Sequence, residues 1–257
     1  MEVMNLFHAP LSINKQVKKI VIHNMVIIPQ NIRFFINLQE LKICYNEIIV
    51  LPDCIGYFNK LKQLCITYNY NLIKINESIG KLTNLKKINI SLNNSIKLIP
   101  DIFYDLKHLT TLIISNNNNL QSLPESIGYL NNLKVLIISN NINLQNIPNA
   151  ICNLQHLKFL GISFNNLIEL PYRITQLTKL RDFRLMSNIN LNIESIHNMK
   201  LQFWLNFIYK KDYKLYIEYF KYIIIKKNIS KRMTEIKYAK IVSFEYKIPS
   251  HFITSFL

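Results

Sequence analysis

The chain has 257 residues, a formal net charge of +16 and only 4 Gly and 4 Cys. That length allows one long domain or two short ones, and the charge suits nucleic acid, acidic proteins or anionic membrane. Ile, Asn and Lys are abundant and all have A/T-rich codons, so part of the charge reflects base composition and a solvated lysine surface rather than a ligand.

The N-terminal lead-in, residues 1–16, reads MEVMNLFHAPLSINKQ. It has an early acid and no apolar run of signal-peptide length. No segment of the chain approaches the roughly 18–20 apolar residues of a membrane span. The cysteines, Cys44, Cys54, Cys65 and Cys152, form no CxxC pair. Cys44 and Cys65 fall on neighbouring predicted strands but two positions out of line, a poor disulfide geometry. Four free thiols and a reducing, cytoplasmic location are the expectation.

From Val17 a unit recurs. With Leu133 as position 1, Leu133, Leu136, Ile138 and Asn141 form the string LxxLxIxxN. The same string starts at Leu38, Leu61, Leu85, Leu109, Leu157 and Leu180, and a shorter unit at Val17, Ile20 and Ile22 precedes them. Positions 4 and 6 are predicted to point into a core and positions 3, 5, 7 and 8 outward, by strand alternation. A lone strand of this kind cannot bury its apolar side, whereas stacked repeats can. Position 9 is Asn46, Asn69, Asn93, Asn117, Asn141, Asn165 and Asn188. An Asn carries a donor and an acceptor, so these residues are predicted to form a structural ladder that satisfies the peptide groups of a tight turn. The second half of each unit reads LPxxIGxL, as in Leu51-Pro52 with Ile55-Gly56 and Leu123-Pro124 with Ile127-Gly128. Pro suits the first turn of a short helix and Gly a tight exit from it. Asn76 replaces the Pro in one unit, and Tyr104, Cys152 and Thr175 replace the Gly in others; these departures are expected to cost little.

The string LPxxIGxLxxLxxLxIxxN resembles the intracellular leucine-rich repeat class of Ras-pathway scaffolds, plant intracellular Ras-group repeat proteins and plant disease-resistance proteins. The A/T-skewed composition is also similar to that of the leucine-rich repeat family of insect poxviruses. The resemblance implies an α/β solenoid over residues 17–195. It would hold about eight repeats of roughly 21–24 residues, with a curved parallel sheet and short helical or 3-10 convex segments. It implies a scaffold rather than a chemistry, because such folds host many ligands. The nucleotide-binding loop of disease-resistance proteins, G-x-x-x-x-G-K-[ST], does not occur in this chain.

Beyond Ile196 the period breaks. Residues 196–257 hold 12 Lys and Arg against 4 Asp and Glu. Leu215, Tyr219, Tyr222 and Ile223 have helical spacing, so a basic, aromatic, helical cap over the last repeat is predicted, with Trp204, Phe207 and Ile208 against the solenoid end. A nucleic-acid or anionic-membrane surface is the alternative use of this tail. Ile248-Pro249-Ser250-His251-Phe252-Ile253 resembles the start of the F-box-like helices that end some poxvirus ankyrin proteins, without the length of a full motif.

No HExxH, CxxC or GxSxG motif occurs, and the predicted concave positions lack paired acids or histidines. No catalytic, metal or cofactor site is expected. The predicted site is an apolar patch at outward positions of the middle repeats, Ile113, Val135, Ile137, Phe159 and Phe164, with Gly161 leaving a hollow beside the two phenylalanines. A monomeric intracellular signalling scaffold that binds one protein partner there is the reading these residues favour.

Overall fold

The computed structural model describes residues 15–185 and 187–192. The chain divides into two compact units, residues 1–203 and 204–257, and every described residue lies in the first. The lead-in before Lys15 and the whole of the predicted tail, with its cap, aromatic anchors and F-box-like segment, lie outside the described residues.

Eight strands form one parallel sheet in sequence order: β1 (Lys19–Ile22), β2 (Glu40–Cys44), β3 (Gln63–Thr67), β4 (Lys87–Ser91), β5 (Thr111–Ile113), β6 (Val135–Ile137), β7 (Phe159–Gly161) and β8 (Asp182–Arg184). The register aligns equal positions of the repeat: Ile20, Leu41, Leu64, Ile88, Leu112, Leu136, Leu160 and Phe183 stand in one row. All are buried, as are the position-6 residues from Ile22 to Ile162. The short first unit at Val17 therefore supplies a full strand. This is the leucine-rich repeat solenoid fold: each repeat contributes one strand and one return segment, and the core runs between them.

Return segments are 3-10 turns: Gln30–Phe34, Asp53–Tyr57, Glu77–Lys81, Glu125–Tyr129, Asn149–Asn153 and Ile174–Gln176. Pro does not occupy their first helical position. It sits one residue earlier, as N-cap, at Pro29, Pro52, Pro124 and Pro148, where the backbone is extended at ψ values of 139–153°. Its carbonyl accepts the first turn bond, as from Ile55 N–H to Pro52. Where Asn76 replaces Pro, its side chain accepts from Ser78 N–H at 2.9 Å, so an ordinary side-chain cap substitutes for the fixed φ.

The conserved-looking Gly of the turn has a different function from the one read in the sequence. Among the described residues no Gly has positive φ. A Cβ on Gly56 would stand 2.8 Å from Ser78, and one on Gly128 would stand 2.6 Å from the Ala150 Cβ and 2.7 Å from its carbonyl oxygen. Neighbouring turns approach too closely for a side chain at these two places. Gly128→Ala should therefore destabilise the protein by about 1–3 kcal/mol through overpacking, measured by urea denaturation; a wild-type midpoint would show that the turns can separate freely.

Position 9 closes each strand. All seven asparagines are buried, with Asn69, Asn93, Asn117 and Asn141 fully so. From Asn69 to Asn165 each side-chain oxygen accepts the backbone N–H of the preceding Asn at 2.8–3.1 Å. Each Nδ2 donates to the position-6 carbonyl of the previous strand at 2.6–3.1 Å. At the last step the oxygen of Asn188 accepts from Leu167 N–H instead. Asn117→Ala would strand Asn93 N–H and Ile90 C=O and is expected to cost about 1–3 kcal/mol. Equilibrium unfolding tests this, and melting together with the wild type would remove the ladder from the account of stability.

Candidate interaction face

The concave positions are built by strand alternation, and the register places the predicted residues side by side. Asn89 pairs with Ile113, Ile113 with Ile137, Ile137 with Gly161, and Gly161 with Arg184. One step towards the strand starts, Thr111, Val135, Phe159 and Asp182 form a parallel row. Ile113, Val135, Ile137 and Phe159 are half-buried, each partly covered by its neighbours on the sheet. Phe164 does not share their rows. It lies beyond β7 in the exit turn, 48% exposed, with φ 57°.

The expected hollow at Gly161 is filled. A Cβ there would be 3.1 Å from Cε1 of Phe159, so the ring of Phe159 leans over the glycine. The guanidinium of Arg184 lies 4.9 Å from the centre of the same ring, and Asp182 holds Arg184 through two bonds of 3.1 and 3.3 Å. Phe159 is thus pinned flat between a backbone it can approach only because position 161 lacks a side chain and a clamped cation.

Position 7 also departs from expectation. Thr67, Ser91, Ser115 and Ser163 are buried rather than outward. The reason is hydrogen bonding: Ser115 N–H donates to Ser91 Oγ at 3.3 Å and Ser139 N–H to Ser115 Oγ at 3.4 Å, a second hydroxyl ladder beside the asparagines. Position 8 follows in the left-handed region in every repeat, at Asn24, Tyr45, Tyr68, Leu92, Asn116, Asn140, Phe164 and Ser187. Asn tolerates that conformation and the bulky residues pay a local strain there. Tyr45 and Tyr68, consecutive in this column, stack with ring centres 4.4 Å apart, and Tyr70 meets Tyr68 edge-on.

Further exposed apolar residues lie just before the return turns. Val26, Ile27, Ile49, Val50 and Ile73 stand on the flank of the first repeats, with Ile27 74% exposed. Ile73 N–H bonds Ile49 C=O and Val50 bridges Lys74, so this flank is laterally paired like the main sheet. The sequence signal was available as adjacent apolar pairs, Val26-Ile27 and Ile49-Val50, but apolar pairs beside core residues read as core.

The acids of the concave sheet are Glu40 and Asp182, at opposite ends. Burial works to raise the Glu40 pKa, but Lys19 at 3.2 Å and Lys42 at 3.4 Å outweigh it and hold the carboxyl below its ordinary value. It stays ionised and paired, unsuited to general acid work. Among the described residues no group of three or more His, Cys, Asp or Glu could hold a metal, and no helix is long and apolar enough to cross a membrane. The Cys44, Cys54, Cys65 and Cys152 thiols are free; Cys44 pairs in register with Thr67, and Cys65 with Lys42. Burial pushes the Cys54 and Cys152 thiols up to about 11 from the ordinary 9.0. In the folded state both hold their protons, so their contribution to stability is complete below pH 9.0 and is lost as pH rises towards 11. Alkylation at pH ~8 should therefore reach Cys44 and Cys65 before Cys54 and Cys152, read by peptide mass mapping; equal rates at all four would contradict the buried placement.

With this geometry the molecule falls in the class of leucine-rich repeat solenoids. A leucine-rich repeat family model matches residues 107–167. A Leptospira interrogans leucine-rich repeat protein of known structure is similar, with 28% identity and a TM-score of 0.65, covering 77% of this chain and 50% of its own. The chain thus spans half the length of that protein. Internalin C2 of Listeria monocytogenes matches at TM-score 0.56 and 16% identity, covering 75% of this chain and 81% of its own. Listeria monocytogenes InlP matches at 0.53 and 21%, covering 71% and 56%. The two Listeria likenesses are likenesses of fold. No curated protein matches the sequence.

Proposed function

We propose that the protein is a non-enzymatic scaffold that captures a protein partner on the middle of its concave sheet. The observation that carries this reading is the pair of aligned rows in which Ile113, Ile137, Val135 and Phe159 stand on consecutive strands. Adjacent parallel strands lie about 4.8 Å apart, so the four side chains make one continuous apolar surface. Polar residues bound it, Lys87 and Asn89 of β4 on one side and the Asp182–Arg184 pair of β8 on the other. An apolar centre with a polar rim is the composition of protein interfaces, and stacked repeats characteristically use an extended face for binding. The pinned ring of Phe159 is pre-ordered, so a partner loses little side-chain entropy in docking against it.

Ile137→Asp places a charge at the centre of this surface while the buried Leu136 of β6 and Ile138 just beyond it are untouched. Partner capture by the full chain from its native cells, identified by mass spectrometry, should weaken by about 2 kcal/mol, with the melting temperature unchanged. Phe159→Ala should act the same way. Undiminished capture by both folded variants rules out the concave sheet as the docking face.

A further inference from the structure

The residue after position 1 of each repeat immediately precedes the strand. The backbone ties these residues into a column: Lys62 N–H donates to Gln39 C=O, Lys86 to Lys62, Thr110 to Lys86, Lys134 to Thr110, Lys158 to Lys134 and Arg181 to Lys158, all at 2.8–2.9 Å. The column therefore reads Lys18, Gln39, Lys62, Lys86, Thr110, Lys134, Lys158 and Arg181, with every cation exposed. Like charges set on neighbouring strands repel. Lys62 reaches the neutral Gln39 oxygen, and the ion pairs of the described residues lie on Glu40 and Asp182, off this column. Lysine-rich composition does not account for the arrangement. In the segments after the strands and in the return turns, Lys74, Lys81 and Lys97 are interspersed with Glu47, Glu77, Asp101 and Glu125, and charge there is mixed.

A second feature lies in the turns that precede this column. The turns that lead into β5 and β6 carry Tyr104 and Tyr129, half-exposed, with ring centres 4.9 Å apart and tilted by 53°. Lys107 Nζ stands 5.3 Å from the centre of the Tyr129 ring. The connecting residues of the third to eighth repeats are polar: Asn59-Lys60, Thr83-Asn84, Lys107-His108, Asn131-Asn132, Gln155-His156 and Thr178-Lys179. These polar residues interrupt the edge, whereas surface-lying membrane segments bury a continuous apolar face. A cation row with aromatic rings in the turns leading to it matches how single strands are held without sequence preference, phosphates on the cations and bases on the rings.

We infer that the strand-start edge of the solenoid is a binding surface for single-stranded nucleic acid. Phosphates run along Lys62, Lys86, Lys134 and Lys158, and bases stack at Tyr104 and Tyr129. This surface is separate from the concave apolar rows.

The test uses the full chain and a fluorescein-labelled 20-nucleotide oligo-uridine, read by anisotropy between roughly 50 and 200 mM salt. The wild type should bind with a steep salt dependence. Combined Lys62→Glu, Lys86→Glu, Lys134→Glu and Lys158→Glu should weaken binding at least tenfold. It should also flatten the log–log salt slope by about 3, four phosphate contacts at about 0.7 each. Tyr129→Ala, which leaves the cations in place, should weaken binding about tenfold while moving the slope little. Circular dichroism melts establish that each variant is folded; if the fourfold variant is not, the Lys→Gln set replaces it. Absence of wild-type binding, unchanged affinity in the lysine variants, or equal binding of polyglutamate or phosphatidylserine vesicles overturns the inference. So does a Tyr129→Ala variant with wild-type affinity, which would reduce the edge to a charge effect.

Discussion

The structure depends on satisfying backbone groups where each strand bends away from the sheet. A parallel strand buried on one side leaves its last N–H and C=O groups facing the core, and an unpaired buried peptide group costs as much as a lost hydrogen bond. The position-9 Asn supplies an acceptor to one neighbour's N–H and a donor to a carbonyl three residues earlier in the previous repeat's numbering, as Asn93 does for Asn69 and Ile66. Because both partners belong to the preceding repeat, the bond that closes one turn also fixes the stacking of two repeats. Local turn geometry and solenoid propagation are the same interaction.

That coupling explains why other positions are constrained. Once the repeats are locked at strand spacing on one face, the return turns must fit the same translation on the other. They do so where a Gly removes a side chain, at Gly56 against Ser78 and Gly128 against Ala150. The position-7 hydroxyls add a parallel set of bonds one step before the asparagines. Position 8 then has to enter the left-handed region to turn the chain, whatever its residue, which is why Tyr68, Leu92 and Phe164 share φ values of 57–60° with Asn116 and Asn140. A strong, repeated bond at one residue sets the backbone of its neighbours over their intrinsic preferences.

The periodic part of this architecture was legible in the sequence because period and chemistry coincide. Leu at position 4 and Ile at position 6 announce a strand with one buried side, and an invariable Asn at the same offset announces a turn that needs both donor and acceptor. What the sequence hid depends on distances between repeats or on side-chain direction. The glycines of the turns look like helix exits until Ala150 is seen beside Gly128. The absent side chain at Gly161 looks like a hollow, but the choice of rotamer at Phe159 fills it. Phe164 was counted with the concave rows by alternation, yet the positive φ at position 8 takes it out of the strand. The exposed flank of Val26, Ile27, Ile49 and Val50 escaped notice because an apolar pair next to Ile28 or Ile48 carries no polar alternation to show which side is wet.

A solenoid separates its surfaces by position in the repeat, and this one assigns them different chemistry. The concave rows of β5 to β7 are apolar, the strand-start column is cationic, and the flank before the return turns is mixed, with Ile49, Val50, Ile73, Leu98 and Ile168 exposed among Lys74, Gln121, Ser122, Gln145 and Asn146. None of these positions contributes to the ladder or the core, so each is free to vary without unfolding the chain. Uniform composition bias would load all of them alike. Instead, lysine concentrates at the strand starts while the adjacent concave positions turn from Lys87 and Asn89 in β4 to Ile113, Val135 and Ile137 in β5 and β6. A change of chemistry along rows that share one backbone geometry is not dictated by that geometry, which is why these rows, and not the ladder, carry the proposed docking surfaces.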